Sequence, residues 1–199
     1  MKTSFKFLAA FAVLFSLAFT TPEFDNDPFI VVIDAGHGGK DQGASYGTFT
    51  EKEIVANISG KIKKYTTDKE VILHFVRKQD EFLGLNERVN SINKLNPDLV
   101  LSLHLNYEKT GKAYGMEFFA NEKANYEAVK LEHKFTAEKG YKSRGIKDAP
   151  FYILKKVDAP VINFQLGFLS NESDRAYLTD EDKQDEIAKG IVEYINELR

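Results

Sequence analysis

Continuous apolar runs separated by helical repeats constrain the fold of this chain most strongly. The run FIVVID, which begins at Phe29, is apolar on both faces of an extended chain. Such a run is typical of a strand that is buried on both sides of a parallel sheet. Similar runs predict five further strands, at residues 71–77, 98–106, 115–121, 151–156 and 160–167.

Helical patterns lie between and after these runs. Apolar residues recur at intervals of three and four positions, which predicts helices within residues 52–65, 85–95, 124–135 and 187–198. Strands that alternate with helices are typical of an α/β domain. We therefore predict an α/β fold with a single domain, in which a mostly parallel six-strand sheet is covered by helices on both faces.

The first twenty residues differ from the rest of the chain. MKTSFK carries two lysines, and the thirteen residues that follow are apolar except for Ser16. This pattern is typical of a secretory signal peptide and is too short for a stable membrane-spanning helix, although an uncleaved anchor is the alternative. We predict a signal peptide at residues 1–20, a linker at residues 21–28 and the folded domain at residues 29–199.

Charge and cysteine content narrow the class of protein further. Removal of the signal peptide would take away Lys2 and Lys6, so the formal net charge would change from −3 to about −5. An acidic chain without a basic run argues against nucleic acid as a partner. The chain has no cysteine, so it has neither a disulfide nor a site for a lipid-modified cysteine. We expect an exported protein, periplasmic or extracellular, without a stable membrane anchor after signal cleavage.

Polar residues cluster where the predicted strands end. The first strand leads into DAGHGGKDQGA, where His37 lies among glycines, and Glu51 begins the next helix. In the third strand, four leucines share one face and leave His104 on the other. Ligands of parallel sheets bind beyond the carboxyl ends of the strands. Two imidazoles and one carboxylate are the ligand set of a catalytic zinc ion, with a fourth position left for water.

Each of these residues also has an ordinary structural interpretation. His104 could simply be hydrogen-bonded at a strand end, and Glu51 could be an acid that the dipole of its helix favours. The glycines around His37 could form a plain turn or a loop that holds a phosphate. We interpret the other two histidines, His74 and His133, as structural or surface residues.

Four motifs in sequence order resemble one family. These motifs are IDAGHGGKDQGA, TEKE, LSLHLN and QLGFLSNESD. They are similar to motifs of the zinc-dependent N-acetylmuramoyl-L-alanine amidases, which cut bacterial peptidoglycan. The resemblance runs from about Phe29 to the C-terminus. It implies that one zinc ion is bound by His37, Glu51 and His104. It also implies that peptidoglycan is the substrate, cut at the amide between the lactyl group of N-acetylmuramic acid and L-alanine. No protein partner follows from the resemblance.

Residue 165 departs from the family pattern. The family has a glutamate there as general base, whereas this chain has Gln165, on the same predicted strand face as Asn163. An amide cannot accept a proton near neutral pH, and general-base assistance is typically worth ~10²–10⁴ in rate. The NH₂ group of Gln165 could still donate to a developing oxyanion. Glu117, in GMEFF, is a poor candidate for a substitute base, and Asn106 and Asn163 are candidate substrate-binding residues.

Three functions remain open at this point. The first is a zinc amidase that is slow because of Gln165. The second is a catalytically inactive zinc protein that binds peptidoglycan and regulates another cell-wall hydrolase. The third is an enzyme with the same fold that acts on a different amide or peptide, recognised by Asn163 and Gln165.

Overall fold

A computed structural model describes residues 27–199 of the chain. The predicted signal peptide and most of the predicted linker lie outside the described residues, so both stay predictions. Among the helices of the described part, none has the length and apolar character needed to cross a membrane.

Eight strands are present in the described residues. In chain order they are β1 (Phe29–Ala35), β2 (Ser45–Tyr46), β3 (Phe49–Thr50), β4 (Val71–Phe75), β5 (Leu99–Asn106), β6 (Met116–Ala120), β7 (Ser143–Lys147) and β8 (Val161–Phe168). Six of them form one sheet in the order β4-β1-β5-β8-β6-β7, and only the β8–β6 pair is antiparallel. The short strands β2 and β3 form a separate hairpin before the first helix.

Six α-helices connect and cover the strands. They are α1 (Glu51–Tyr65), α2 (Leu85–Asn93), α3 (Asn125–His133), α4 (Tyr152–Lys156), α5 (Glu172–Thr179) and α6 (Glu181–Leu198). A 3₁₀ turn (Glu122–Ala124) precedes α3, and a π-helical turn (Lys134–Glu138) follows it.

The core has two layers because successive residues of each strand face opposite sides of the sheet. On one side, Val31 and Ile33 of β1 pack with apolar residues of α1, α3 and α6. On the other side, Val32 packs with apolar residues of α2 and α4. The predicted fold class, a mostly parallel six-strand sheet with helices on both faces, is confirmed.

One predicted strand is wrong. Residues 151–156 were expected to be extended, but they contain helix α4. Ile153, Leu154 and Val157 are buried, and this spacing places them on one side of a helix that packs against α2 and β8. The sixth strand is instead β7, which lies at the sheet edge. Gly145 interrupts β7 with φ +91°, and no residue of this strand is fully buried.

Candidate active site and metal centre

The fold brings His37, Glu51 and His104 together at one edge of the sheet. His37 lies in the loop after β1, Glu51 is the first residue of α1, and His104 lies near the end of β5. One donor atom of each residue lies within 4.8 Å of the other two. The Oε1 atom of Glu51 is 3.0 Å from Nε2 of His37 and 2.9 Å from Nδ1 of His104. These three residues form a possible metal site, as their positions at the ends of the predicted strands suggested.

Two glycines leave the space that these side chains occupy. A Cβ atom on Gly36 would lie 2.3 Å from Cε1 of His104. A Cβ atom on Gly43 would lie 2.5 Å from both Oε2 of Glu51 and Cδ2 of His37, and Gly43 has φ +66°. His37 itself has φ 58°, an uncommon conformation for a residue with a side chain. The loop conformation and the packing of the three candidate ligands are therefore fixed together.

Backbone and side-chain groups around the cluster hold its members in place. Asp41 accepts a hydrogen bond from Nδ1 of His37 at 2.9 Å, which leaves Nε2 free to face Glu51. The two oxygens of Glu51 accept from the backbone N–H groups of Ala44 and Leu105, at 2.8 and 2.9 Å. A carboxylate that orients a metal-binding histidine in this way is a common second layer of metal sites. Sequence reasoning did not single out Asp41, although its position four residues after His37 was a usable signal.

The electrostatics of the cluster favour a cation. Burial alone would raise the pKa of Glu51, but hydrogen bonds and charge from His104 and His37 outweigh burial and lower this pKa to about 2. Burial lowers the pKa of His37, but Glu51 and Asp41 outweigh that effect and raise it. Glu51 is therefore a carboxylate at neutral pH. Two ring nitrogens and one carboxylate oxygen at this separation are donors that zinc accepts in a catalytic site.

A cavity of about 560 Å³ opens beside the cluster. His37, Glu51 and His104 line it together with a polar floor that consists of Asp34, Ser102, Asn163 and Gln165. Apolar side chains also line it and form an apolar wall, chiefly Phe82, Leu85, Phe151 and Tyr152. A cavity with apolar walls and a few convergent polar groups is the usual form of a small-molecule site.

Gln165 lies on this floor, next to the candidate ligands. It pairs in register with His104 across β5–β8 and with Glu117 across β8–β6. Its side chain is 9% exposed, and Nε2 donates to Oδ1 of Asn163 at 2.9 Å. Its Oε1 atom has no hydrogen-bond partner among the described residues. The sequence left open that the NH₂ group donates to a developing oxyanion, but in this structure it donates to Asn163.

Glu117 is buried and fully paired. Its Oε1 atom accepts from Nε of Arg144 at 2.6 Å and Nζ of Lys147 at 2.7 Å, and its Oε2 atom accepts from Nδ2 of Asn106 at 2.7 Å. Burial raises the pKa of Glu117, but the hydrogen bonds and charges of Lys147 and Arg144 outweigh it and lower the pKa. A carboxylate held in this way is a weak base.

The two candidate substrate-binding asparagines are placed differently. Asn163 lines the cavity, whereas Asn106 is not among the residues that line it. Both ends of the Asn106 amide are used within the protein, since Nδ2 donates to Glu117 and Oδ1 accepts from the backbone of Tyr107. A role in substrate binding stays a prediction for both residues.

Residues 31–197 match the N-acetylmuramoyl-L-alanine amidase family. The chain belongs to this family. Two relatives illustrate the match. The endolysin of Bacillus phage SPP1 is 30% identical over 177 residues, which are 85% of this chain and 65% of the endolysin. The N-acetylmuramoyl-L-alanine amidase LytC of Bacillus subtilis (strain 168) is 30% identical over 166 residues, which are 81% of this chain and 34% of LytC.

Solved structures of this amidase family share the fold. The catalytic domain of CwlV, an N-acetylmuramoyl-L-alanine amidase from Bacillus (Paenibacillus) polymyxa var. colistinus, aligns with a TM-score of 0.81 at 29% identity. That alignment covers 85% of this chain and 97% of the CwlV domain. An N-acetylmuramoyl-L-alanine amidase from Clostridium difficile 630 aligns with a TM-score of 0.81 at 30% identity, over 86% of this chain and 96% of that one.

Within this amidase domain, sequence reasoning missed one buried ion pair below the site. Nη1 of Arg88 in α2 donates to Oδ1 of Asp34 in β1 at 2.6 Å, and both side chains are buried. Arg88 also donates to the backbone carbonyl of His37. An arginine in a helix is usually exposed, so the position of Arg88 in the helical pattern of α2 gave little sign of this contact. Asp34 gave a better sign, because a charged residue near the end of a buried strand needs a partner.

Proposed function

We propose that this protein is an exported amidase with one zinc ion, which hydrolyses the amide between the lactyl group of N-acetylmuramic acid and L-alanine in peptidoglycan. The observation that carries the proposal is the convergence of His37, Glu51 and His104 within 4.8 Å in a chain that belongs to the amidase family. Residues 29–199 would form the catalytic domain, and residues 1–20 would direct export.

The proposed ligands fit a zinc ion in number and in type, since each offers one nitrogen or carboxylate oxygen. When bound, zinc supplies Lewis acidity, which activates water as a nucleophile and polarises a carbonyl group. The protein supplies the geometry: Asp41 orients the His37 ring, and apolar side chains that include Phe82 and Phe151 line the cavity beside the proposed ligands.

Gln165 should make this amidase slow. It stands where the family resemblance places a general base, and it has no group that accepts a proton near neutral pH. The loss of general-base assistance corresponds to roughly 3–5.5 kcal/mol of activation free energy. Glu117, in the neighbouring strand, does not replace the base because Arg144 and Lys147 pair with it.

The same observations favour one alternative, a zinc-containing protein that binds peptidoglycan without cutting it and regulates another hydrolase. In that case the cavity would serve for recognition only. Sedimentation of the protein with purified cell walls, without release of peptides, would support the alternative.

A digestion experiment separates the two functions. Peptidoglycan is incubated with the zinc-loaded full chain, unmodified and as Gln165→Glu, and the soluble products are identified by mass. We expect slow release of stem peptides by the unmodified protein and release about 10²–10⁴ times faster by the variant. Cleavage by Gln165→Glu alone would favour the binding protein. The absence of cleavage by both would contradict the amidase assignment. A Glu51→Gln change in the Gln165→Glu background is the control, because it removes one proposed ligand.

A further inference from the structure

A chain of hydrogen bonds runs through the buried floor of the cavity. Arg88 donates to Asp34 at 2.6 Å, and Oγ of Ser102 donates to the other oxygen of Asp34 at 2.9 Å. Nδ2 of Asn163 faces Oγ of Ser102 at 3.5 Å, and Nε2 of Gln165 donates to Oδ1 of Asn163 at 2.9 Å. All five side chains are at least nine-tenths buried.

The ion pair between Arg88 and Asp34 fixes the direction, from donor to acceptor, of every hydrogen bond in this series. Asp34 offers only acceptors, so the hydroxyl proton of Ser102 points toward it. Ser102 can then only accept from Asn163, which turns the Nδ2 end of that amide toward Ser102 and its oxygen toward Gln165. If both amides were reversed, an oxygen of Asn163 would face the oxygen of Ser102 without a proton between them. Nε2 of Gln165 must therefore be the end of the amide that donates to Asn163.

This direction leaves the oxygen of Gln165 as the free end. Gln165 lines the cavity, and its Oε1 atom is buried and has no hydrogen-bond partner within residues 27–199. A buried acceptor without a donor is unfavourable, so this position suits a ligand that brings an N–H group. Gln165 pairs in register with His104 and shares the cavity with the three candidate metal ligands.

We propose that Oε1 of Gln165 accepts a hydrogen bond from the N–H of the amide that is to be cleaved, so that the site distinguishes amides from esters. The inference rests on the proposed function, because the bond to be cleaved must lie next to the metal ligands. Gln165 is then a specificity-determining residue. Asp34, Ser102 and Asn163 are positioning residues that set which end of its amide faces the ligand.

Two ligands that differ by one N–H group test the proposal. The first is N-acetylmuramoyl-L-alanine, and the second is its ester analogue, in which L-lactate replaces L-alanine. Dissociation constants are measured by calorimetry with the zinc-loaded full chain, and the ligands are checked by mass afterwards. We expect the amide to bind about three to ten times more tightly than the ester, the value of one hydrogen bond. In Gln165→Met, which keeps the length of the side chain without its polar atoms, the ratio should fall to about one.

The variant Ser102→Ala tests whether these hydrogen bonds orient the amide of Gln165, and Ser59→Ala is the matched control. Ser102→Ala removes the group that orients Asn163, so the preference for the amide should shrink. Ser59 is also buried, but it lies in α1 outside this cavity, and its variant should keep the wild-type ratio. An unchanged ratio in Ser102→Ala would overturn the orienting role.

The results also separate this inference from the proposed function. Equal binding of both ligands by the unmodified protein, or a ratio that survives in Gln165→Met, would overturn the inference alone. Binding of neither ligand would overturn the proposed substrate and the inference with it.

Discussion

Gly43 and Gly47 have similar backbone angles but different surroundings. Their φ values are +66° and +60°, so alanine at either position would cost roughly 1–2 kcal/mol for the left-handed conformation. A Cβ atom on Gly43 would overlap with Glu51 and His37, whereas a Cβ atom on Gly47 would meet no atom within 4 Å. The pair therefore separates the cost of backbone conformation from the cost of displacing the proposed ligands.

We predict that Gly43→Ala weakens zinc binding by about 10–100-fold, the range for changes in the groups that orient metal ligands. Gly47→Ala should lower the free energy of unfolding by the backbone cost alone, roughly 1–2 kcal/mol, and its zinc affinity should stay unchanged. Chelator competition gives the zinc affinity, and thermal unfolding gives the stability. Equal zinc affinities in the two variants would contradict the close packing around Gly43.

For single residues, strand alternation predicted which side chains share a face of the sheet. Strand alternation placed His104 on the face opposite four leucines, and it placed Asn163 and Gln165 on one face of β8. It could not predict which end of the Gln165 amide faces the cavity. That direction depends on Arg88, which reaches the site from α2 through tertiary packing.

Strand β6 carries Glu117 between its neighbours β8 and β7. Arg144 and Lys147, both in β7, donate to Glu117, so this ion-paired group ties the edge strand to the rest of the sheet. The sign of its contribution follows from its pKa. Because the pKa of Glu117 in the folded protein lies below its ordinary value of 4.5, the stabilisation is present above about pH 4.5 and is lost as pH falls through the folded pKa.

We predict that the free energy of unfolding of Glu117→Gln falls less steeply below pH 4.5 than that of the unmodified protein, because the variant has no carboxylate to protonate there. Urea unfolding at a series of pH values measures the slopes. Glu122→Gln, a change at an exposed glutamate, is the control and should keep the wild-type slope. Parallel curves for Glu117→Gln and the unmodified protein would show that the ion pairs do not stabilise the fold.

Among the elements, prediction succeeded for the deeply buried strands and failed for one short helix and one polar edge strand. The runs that became β1, β5 and β8 are buried along nearly their whole length, so their apolar character is continuous. Helix α4 has only five residues, too few for a helical period to stand out from an apolar run. Strand β7 was missed because it is polar, contains Gly145 and is partly exposed.

The proposed zinc ion would join three parts of the molecule: the loop after β1, helix α1 and strand β5. A ligand that binds only the folded state stabilises it by about 2.7 kcal/mol when its free concentration is one hundred times its dissociation constant. For a domain of this size, that corresponds to roughly 5–10 °C in the melting temperature.

We predict that a chelator lowers the melting temperature by this amount and that zinc restores it. His104→Ala should melt at the same temperature with and without zinc. His133→Ala should keep the zinc-dependent shift, since His133 is 66% exposed in α3 and lies apart from the cluster. A zinc-dependent shift that survives in His104→Ala would place the ion elsewhere.

The separation of the three proposed ligands along the chain has a consequence for the order of folding. His104 lies 53 residues after Glu51, and the two meet only once β5 has paired with β1, whose paired residues are 68 positions apart. Contacts this distant in sequence close late, because a long loop must be ordered before they form. The ion would thus enter a site that is already built, and its effect would appear as slower unfolding while the rate of folding stays the same.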